Sequence, residues 1–149
     1  MPVTQLTYLS RNALTGNTPT PDQQLSEILS ASRRNNQRDG ITGYLVSDGP
    51  WFIQILEGEE DKVSAALGRI RSDRRHSDIS VISTRQIRTR SFPQWSMGGS
   101  VRSPAMRAIF ARHGLERVEP AALTAPSVLA LAMDLQDFER TQDLARQAG

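Results

Sequence analysis

ITGYLVSDG (41–49) and WFIQILEG (51–58) read as two strands joined by a tight turn around Asp48-Gly49. An Asp-Gly pair between two apolar runs is a strong hairpin signal. Side chains alternate across a strand, so Phe52, Gln54 and Leu56 share one face, and Ile53 and Ile55 the other. The second run therefore reads as a core strand with one polar residue in the wrong place. The Gln54 amide can make up to four hydrogen bonds. Leaving it unpaired in a core costs roughly 1–3 kcal/mol, so the fold must supply its partners.

Working outward, VTQLTYLSR (3–11) is β-like, with Val3, Leu6 and Tyr8 toward the core. NALTGNTPTP (12–21) is a loop. Thr20, Pro21 and Gln23 then mark a helix start, with Thr20 as cap, Pro21 at N1 and Gln23 closing a capping box. This helix is expected to run to about residue 36, with Leu25, Ile28 and Leu29 as its apolar stripe. EEDKVSAALGRIRSD (59–73) is a second helix, lined by Val63, Leu67 and Ile70, with acids in its first turn. SDISVISTRQIRTR (77–90) is a strand with Ile79, Val81 and Ile87 among its apolar positions, and FPQWSMGGS (92–100) a short last strand. The order β-α-β-β-α-β-β matches an α+β, ferredoxin-like sheet with two helices on one face. In that topology the first and third strands lie side by side at the middle.

Residues 102–149 differ in character. PAMRAIFARHG (104–114) is a short helix stopped by Gly114. SVLALAMDLQDFERTQDLARQ (127–147) is a stronger one, with Val128, Leu131, Leu135 and Phe138 at heptad-like spacing and Leu129 and Met133 widening the face. Two such helices are expected to pack on the open face of the sheet or on a partner. The expected division is thus 1–101 and 102–149.

The 149 residues contain no cysteine, which excludes disulfides, thiolate metal sites and thiol nucleophiles. No apolar run approaches the ~20 residues that span a bilayer. The N-terminus lacks a basic segment followed by an apolar one, so no signal peptide is expected and the expected location is cytoplasmic. Net charge is +2. Arginines gather at 33–38, 69–75 and 85–90, but acids and polar residues interrupt most of these clusters, and nucleic acid is not expected as a partner.

The apolar stripe of the first helix turns polar when continued at helical spacing, through Ser32, Asn35 and Asn36. A plain helix end, capping carbonyls and meeting water, would look the same. Yet Tyr8 and Gln54 belong to the two adjacent central strands and could face that helix. Together the five would line a slot suited to a flat, heteroatom-rich ligand. No nucleophile–base pair, carboxylate pair or metal cluster accompanies them.

Five blocks in order carry a resemblance: LTYLSR (6–11), SRRNNQRDGITGYLV (32–46), FIQILEG (52–58), DRRHSDI (73–79) and FPQWSMG (92–98). Across residues 3–101 the chain resembles the BLUF family of flavin-binding blue-light sensors. The resemblance implies a non-covalent flavin, FAD with FMN and riboflavin as alternatives, lying between the two helices over the sheet. Gln54 matches the switch glutamine that bridges the Tyr8 hydroxyl and the flavin edge. Asn36 matches the asparagine that bonds the ring, with Asn35 as its pocket neighbour and Ser32 near the switch. Arg75 and His76 match positions toward the other end of the ring and the ribityl chain. A lone histidine at a helix end has a simpler role as well, satisfying local carbonyls. Trp95 and Met97 match a pair that exchanges places beside the glutamine.

The implied photochemistry takes an electron from Tyr8 and its proton by way of Gln54. It leaves the amide rotated, tautomerised or both, and the still oxidised flavin slightly red-shifted. Residues 102–149 are too few for a cyclase or phosphodiesterase domain. The expectation is a non-enzymatic sensor that signals through self-association or an unidentified downstream protein. Two other classes share this topology. An acylphosphatase-type enzyme needs a compact Gly-rich anion cradle, which is not found. An RNA-binding sheet needs exposed strand aromatics for stacking, and ISVISTRQI has none. Trp51 is expected to be packing and His113 to be surface.

Overall fold

The computed structural model describes residues 3–13, 20–93 and 97–148. Trp95 lies outside them. Along the chain run β1 (Val3–Asn12), α1 (Pro21–Asp39), β2 (Thr42–Asp48), β3 (Trp51–Gly58), α2 (Glu60–Arg71), β4 (His76–Ile87), β5 (Gly98–Val101), α3 (Arg107–Arg112) and α4 (Ala125–Ala148). The five strands form one sheet in the order β4-β1-β3-β2-β5. Among the described residues only the β2–β5 pairing is parallel. This is the expected α+β, ferredoxin-like arrangement, with β1 beside β3 at the centre.

Local chemistry explains the element ends. Thr20 caps α1, and its capping box with Gln23 is complete. The helix continues past the expected end near residue 36, because the stop is Gly40 rather than the asparagine pair. Gly40 adopts φ 69° and its N–H reaches the carbonyls of Asn36 and Gln37. A left-handed cap of this kind suits glycine, which lacks a Cβ. Asp48 pairs with Trp51, so the hairpin loop is Gly49-Pro50, with Gly49 at φ 55°.

The sheet is buried on both sides. On one face Leu6, Tyr8, Phe52 and Leu56 pack against Leu25, Ile28 and Leu29 of α1 and Val63 and Ala66 of α2. On the other, Leu9, Tyr44, Val46, Ile53 and Ile55 meet Phe110 of α3 and Val128, Leu131 and Leu135 of α4. Fully burying each large apolar side chain contributes about 1.5–3 kcal/mol. The C-terminal helices thus cover the open face of the sheet. Two of the apolar positions read from the sequence are exposed: Met133 is 43% and Val81 40% exposed. Met133 lies outside the arc of α4 that meets the sheet, and Val81 belongs to an edge strand. His113, expected at the surface, is part-buried. Its Nε2 lies 2.6 Å from Asp134 Oδ2 and joins the end of α3 to α4. Trp51 packs as expected, against the second core and under the Arg11 guanidinium.

Close approach requires glycine at one central position. A Cβ on Gly43 would fall 1.9 Å from the Ile55 carbonyl oxygen and 3.3 Å from Met97 Cε. Gly68, on the exposed side of α2, has nothing within 4 Å. Gly43→Ala is therefore expected to lower unfolding free energy by about 3 kcal/mol, the upper range for overpacking. Gly68→Ala is expected to raise it by roughly 0.5–1 kcal/mol. Urea denaturation of both variants checks the pair.

Candidate functional site

β1 and β3 place Tyr8 directly opposite Gln54 in register. Both side chains face the helices and both are buried. The Tyr8 hydroxyl donates to Gln54 Oε1. On the other side of the amide, Gln54 Nε2 points to the sulfur of Met97 at 3.2 Å. Met97 sits immediately before β5, fully buried, and its carbonyl oxygen accepts from Arg33 Nε of α1 at 3.1 Å. The out-of-place glutamine of the core strand is thus bonded to a strand neighbour and to the start of the edge strand.

Above this chain of contacts lies a cleft. Ser32, Asn35 and Asn36 border it from α1, Ala66, Arg69 and Ile70 from α2, and Gln54 and Leu56 form its floor. Asp73 and Arg75 close one end. The expected convergence of Ser32, Asn35, Asn36 and Gln54 is found. Tyr8 lies beneath Gln54 rather than on the cleft surface. The polar turn of the α1 stripe is therefore a wall of this cleft as well as a helix end.

Arg75 reaches the cleft end in a two-pronged pairing with Asp73, Nη2 to Oδ2 at 2.7 Å. Burial pushes the Asp73 carboxyl up, but its hydrogen bonds with Arg75 outweigh this and hold it below the ordinary carboxylate range. His76 does not border the cleft. It is buried beside Phe52, its ring 4.8 Å from that ring, with Nδ1 3.0 Å from Ser10 Oγ. Burial, above all, lowers its pKa to about 4 against the pull of Asp73. Burial likewise raises the Tyr8 pKa well above that of a free phenol, and the Asp73 charge adds to this. Tyr8 is a neutral hydrogen-bond donor at any ordinary pH.

Arg69 was not among the expected site residues. Its Nη2 lies 3.3 Å from Asp39 Oδ2, near enough for an ion pair, yet it is buried and makes no hydrogen bond. A guanidinium N–H in that position is costly unless something accepts from it. Arg69 falls at helical spacing with Ala66, on the cleft side of α2, and that interruption of an apolar stripe was its sequence signal. The donor set as a whole holds three amides, a hydroxyl and two guanidinium groups. That chemistry fits a planar ligand edged with carbonyl and ring-nitrogen acceptors.

Residues 3–98 match the family model described as BLUF, sensors of blue-light using FAD. The photoactivated adenylate cyclase subunit beta of Euglena gracilis is 33% identical over 96 residues, which are 64% of this chain and 11% of that protein. The chain therefore spans only a small part of the curated relatives it matches. Among solved structures, the dark state of BlrB, a BLUF protein, aligns with a TM-score of 0.73 at 33% identity, covering 89% of this chain and 93% of the other. BlsA in its photo-activated state aligns with a TM-score of 0.75 at 28% identity, covering 89% and 94%. Both likenesses cover more of the chain than the 64% matched in the cyclase subunit. Among the described residues no helix is long and apolar enough to cross a membrane.

The buried histidine has a measurable consequence. Its folded pKa, about 4, lies below its ordinary value of 6.5. As pH falls from 6.5 to 4 the unfolded chain takes up a proton that the folded chain refuses, so stability falls across that window. Below pH 4 both forms are protonated and the loss is complete. At about 1.4 kcal/mol per unit, the loss is on the order of 3 kcal/mol. Urea denaturation at pH 7 and pH 4.5 is expected to show a larger loss for the wild type than for His76→Gln. Parallel losses in the two proteins would contradict a buried neutral imidazole.

Proposed function

Because the chain belongs to the BLUF family, sensors of blue-light using FAD, we propose that it is a blue-light receptor whose switch is the Tyr8–Gln54–Met97 chain of contacts. The flavin, FAD in this reading, would be held in the cleft by Ser32, Asn35, Asn36 and Gln54, with Arg69 and Arg75 toward its anionic side. The buried Arg69 N–H without an acceptor, and the amide-rich wall, support that fit. When bound, the flavin supplies blue-light absorption and an excited state able to take an electron from Tyr8.

The protein's part is to direct a proton and remember where it went. Oxidation makes the Tyr8 hydroxyl strongly acidic, and the atom placed to receive its proton is Gln54 Oε1. Once electron and proton have returned to Tyr8, an amide left rotated, tautomerised or both no longer presents the same pattern of donors. Met97 senses the difference, because a thioether sulfur accepts weakly and cannot donate. With Nε2 toward it the contact is favourable; with Oε1 toward it no hydrogen bond forms. The two orientations therefore favour different positions of Met97, and a shift of populations between them is all the signal requires.

From Met97 the chain enters β5, which α1 packs on one side and α4 on the other. Residues 1–101 act as the sensor in this reading and 102–149 as the output segment. Displacement of β5 would reorient α4 and alter self-association or the docking of a protein partner. The single observation that carries the proposal is the Gln54 amide, bonded to Tyr8 and to Met97 at the floor of the cleft.

Gln54→Leu tests it. Leucine offers neither donor nor acceptor but preserves bulk, so the variant is expected to purify with flavin and to lose the reversible red shift under blue light. A normal shift in that variant would remove Gln54 from the mechanism.

A further inference from the structure

Glu57 stands three residues after Gln54 on β3, on the opposite face of the sheet, and is completely buried (0% exposed). Among the described residues no cation forms an ion pair with its carboxylate. Instead Oε2 accepts from Gln5 Nε2 at 2.8 Å and from the Ser91 N–H at 3.0 Å, and Oε1 accepts from the Phe92 N–H at 2.8 Å. Gln5 is itself held by Arg85 Nε at 2.9 Å. Arg90 donates to the Glu57 backbone oxygen at 3.0 Å and to Thr42 at 2.9 Å. A buried carboxylate is a poor way to gain stability, since an apolar group of similar size serves as well or better. It is a good way to fix register, because only one placement of the facing N–H groups satisfies it.

What it fixes leads back to the switch. Glu57 holds the backbone N–H of Phe92, and the Phe92 ring stacks on Tyr44, centroids 5.7 Å apart and planes at 29°. The Tyr44 hydroxyl is hydrogen-bonded to Ser100 Oγ at 2.5 Å. Ser100 belongs to β5, the four-residue edge strand that follows Met97 and, among the described residues, has only β2 as a sheet neighbour. So short a strand has few ladder bonds of its own, and its placement depends on such side-chain ties.

We propose that Glu57 is a positioning residue for the light relay: it locks Phe92, and through the Phe92–Tyr44–Ser100 contacts it locks β5, so that Met97 is presented to Gln54. This rests on the receptor reading above. The carboxylate touches none of the reacting groups and acts entirely from the far side of the sheet.

The test uses the flavin-loaded full chain as wild type, Glu57→Gln, Tyr44→Phe and the double variant. Glutamine keeps the volume but sets an NH2 group against a backbone N–H. Two quantities are read: the rate of dark recovery after blue light, and amide hydrogen exchange of Gly99, Ser100 and Val101. Glu57→Gln is expected to speed recovery at least tenfold, because a loosened β5 no longer holds the lit arrangement. It is expected to lower β5 protection at least tenfold while α2 amides are unchanged. Tyr44→Phe should act in the same direction, and the double variant should do no more than the stronger single one.

The proposal is overturned if Glu57→Gln only lowers the unfolding midpoint, with recovery and β5 exchange within twofold of wild type. It is overturned equally if the two substitutions multiply, which would mean separate routes. If Glu57→Gln does not fold, Gln5→Met removes one of the three donors and is read the same way, with at least a threefold effect expected. If the wild type shows no reversible shift, the receptor reading fails, and β5 exchange alone decides whether Glu57 positions the strand.

Discussion

A single amide, held by a tyrosine hydroxyl on its oxygen side and a methionine sulfur on its nitrogen side, is the constraint around which the molecule is organised. The sulfur cannot donate, so it gives the amide a preferred direction. The tyrosine is buried and its pKa raised, so it stays a donor. Neither condition holds without the surrounding fold. Tyr8 must face Gln54 across the centre of the sheet, Met97 must arrive from the edge, and the cleft must open above the amide and nowhere else near it.

The two-sided sheet meets these conditions at the expense of burying polar groups on both faces. Toward α1 and α2 the buried polar residues include Gln54, Asn36 and His76, beside the cleft or beneath it. Toward α3 and α4 they include Gln5, Glu57 and Ser100. The first set faces a ligand. The second, as proposed, holds Ser91, Phe92 and β5. Arg102 extends the same logic to the helices. Immediately after β5 it pairs with Asp48 at 3.0 Å, and its guanidinium lies 4.3 Å over the Phe110 ring. Strand, hairpin and C-terminal helices are thus tied together at one point.

Much of this was legible in the residues. The hairpin, the capping box of α1 and the β-α-β-β-α-β-β order rest on local rules that tertiary structure did not override. The polar end of the α1 stripe and the misplaced Gln54 both pointed to the cleft. What stayed hidden depended on register between distant segments. Nothing local shows that Glu57 meets the Ser91 and Phe92 N–H groups, or that His113 meets Asp134. Val81 and Met133 looked apolar and periodic, but whether such a position is covered depends on which strand is an edge and how far α4 overlaps the sheet. The bond of His76 to Ser10 likewise depends on the register of β4 against β1.

The most direct measurement is the visible spectrum of the purified wild-type protein, taken in the dark, under blue light and during recovery. The expected result is a structured flavin spectrum that moves slightly to the red under illumination without bleaching, and returns in the dark. A colourless protein that takes up no added FAD, or a bound flavin whose spectrum blue light does not move, would contradict it.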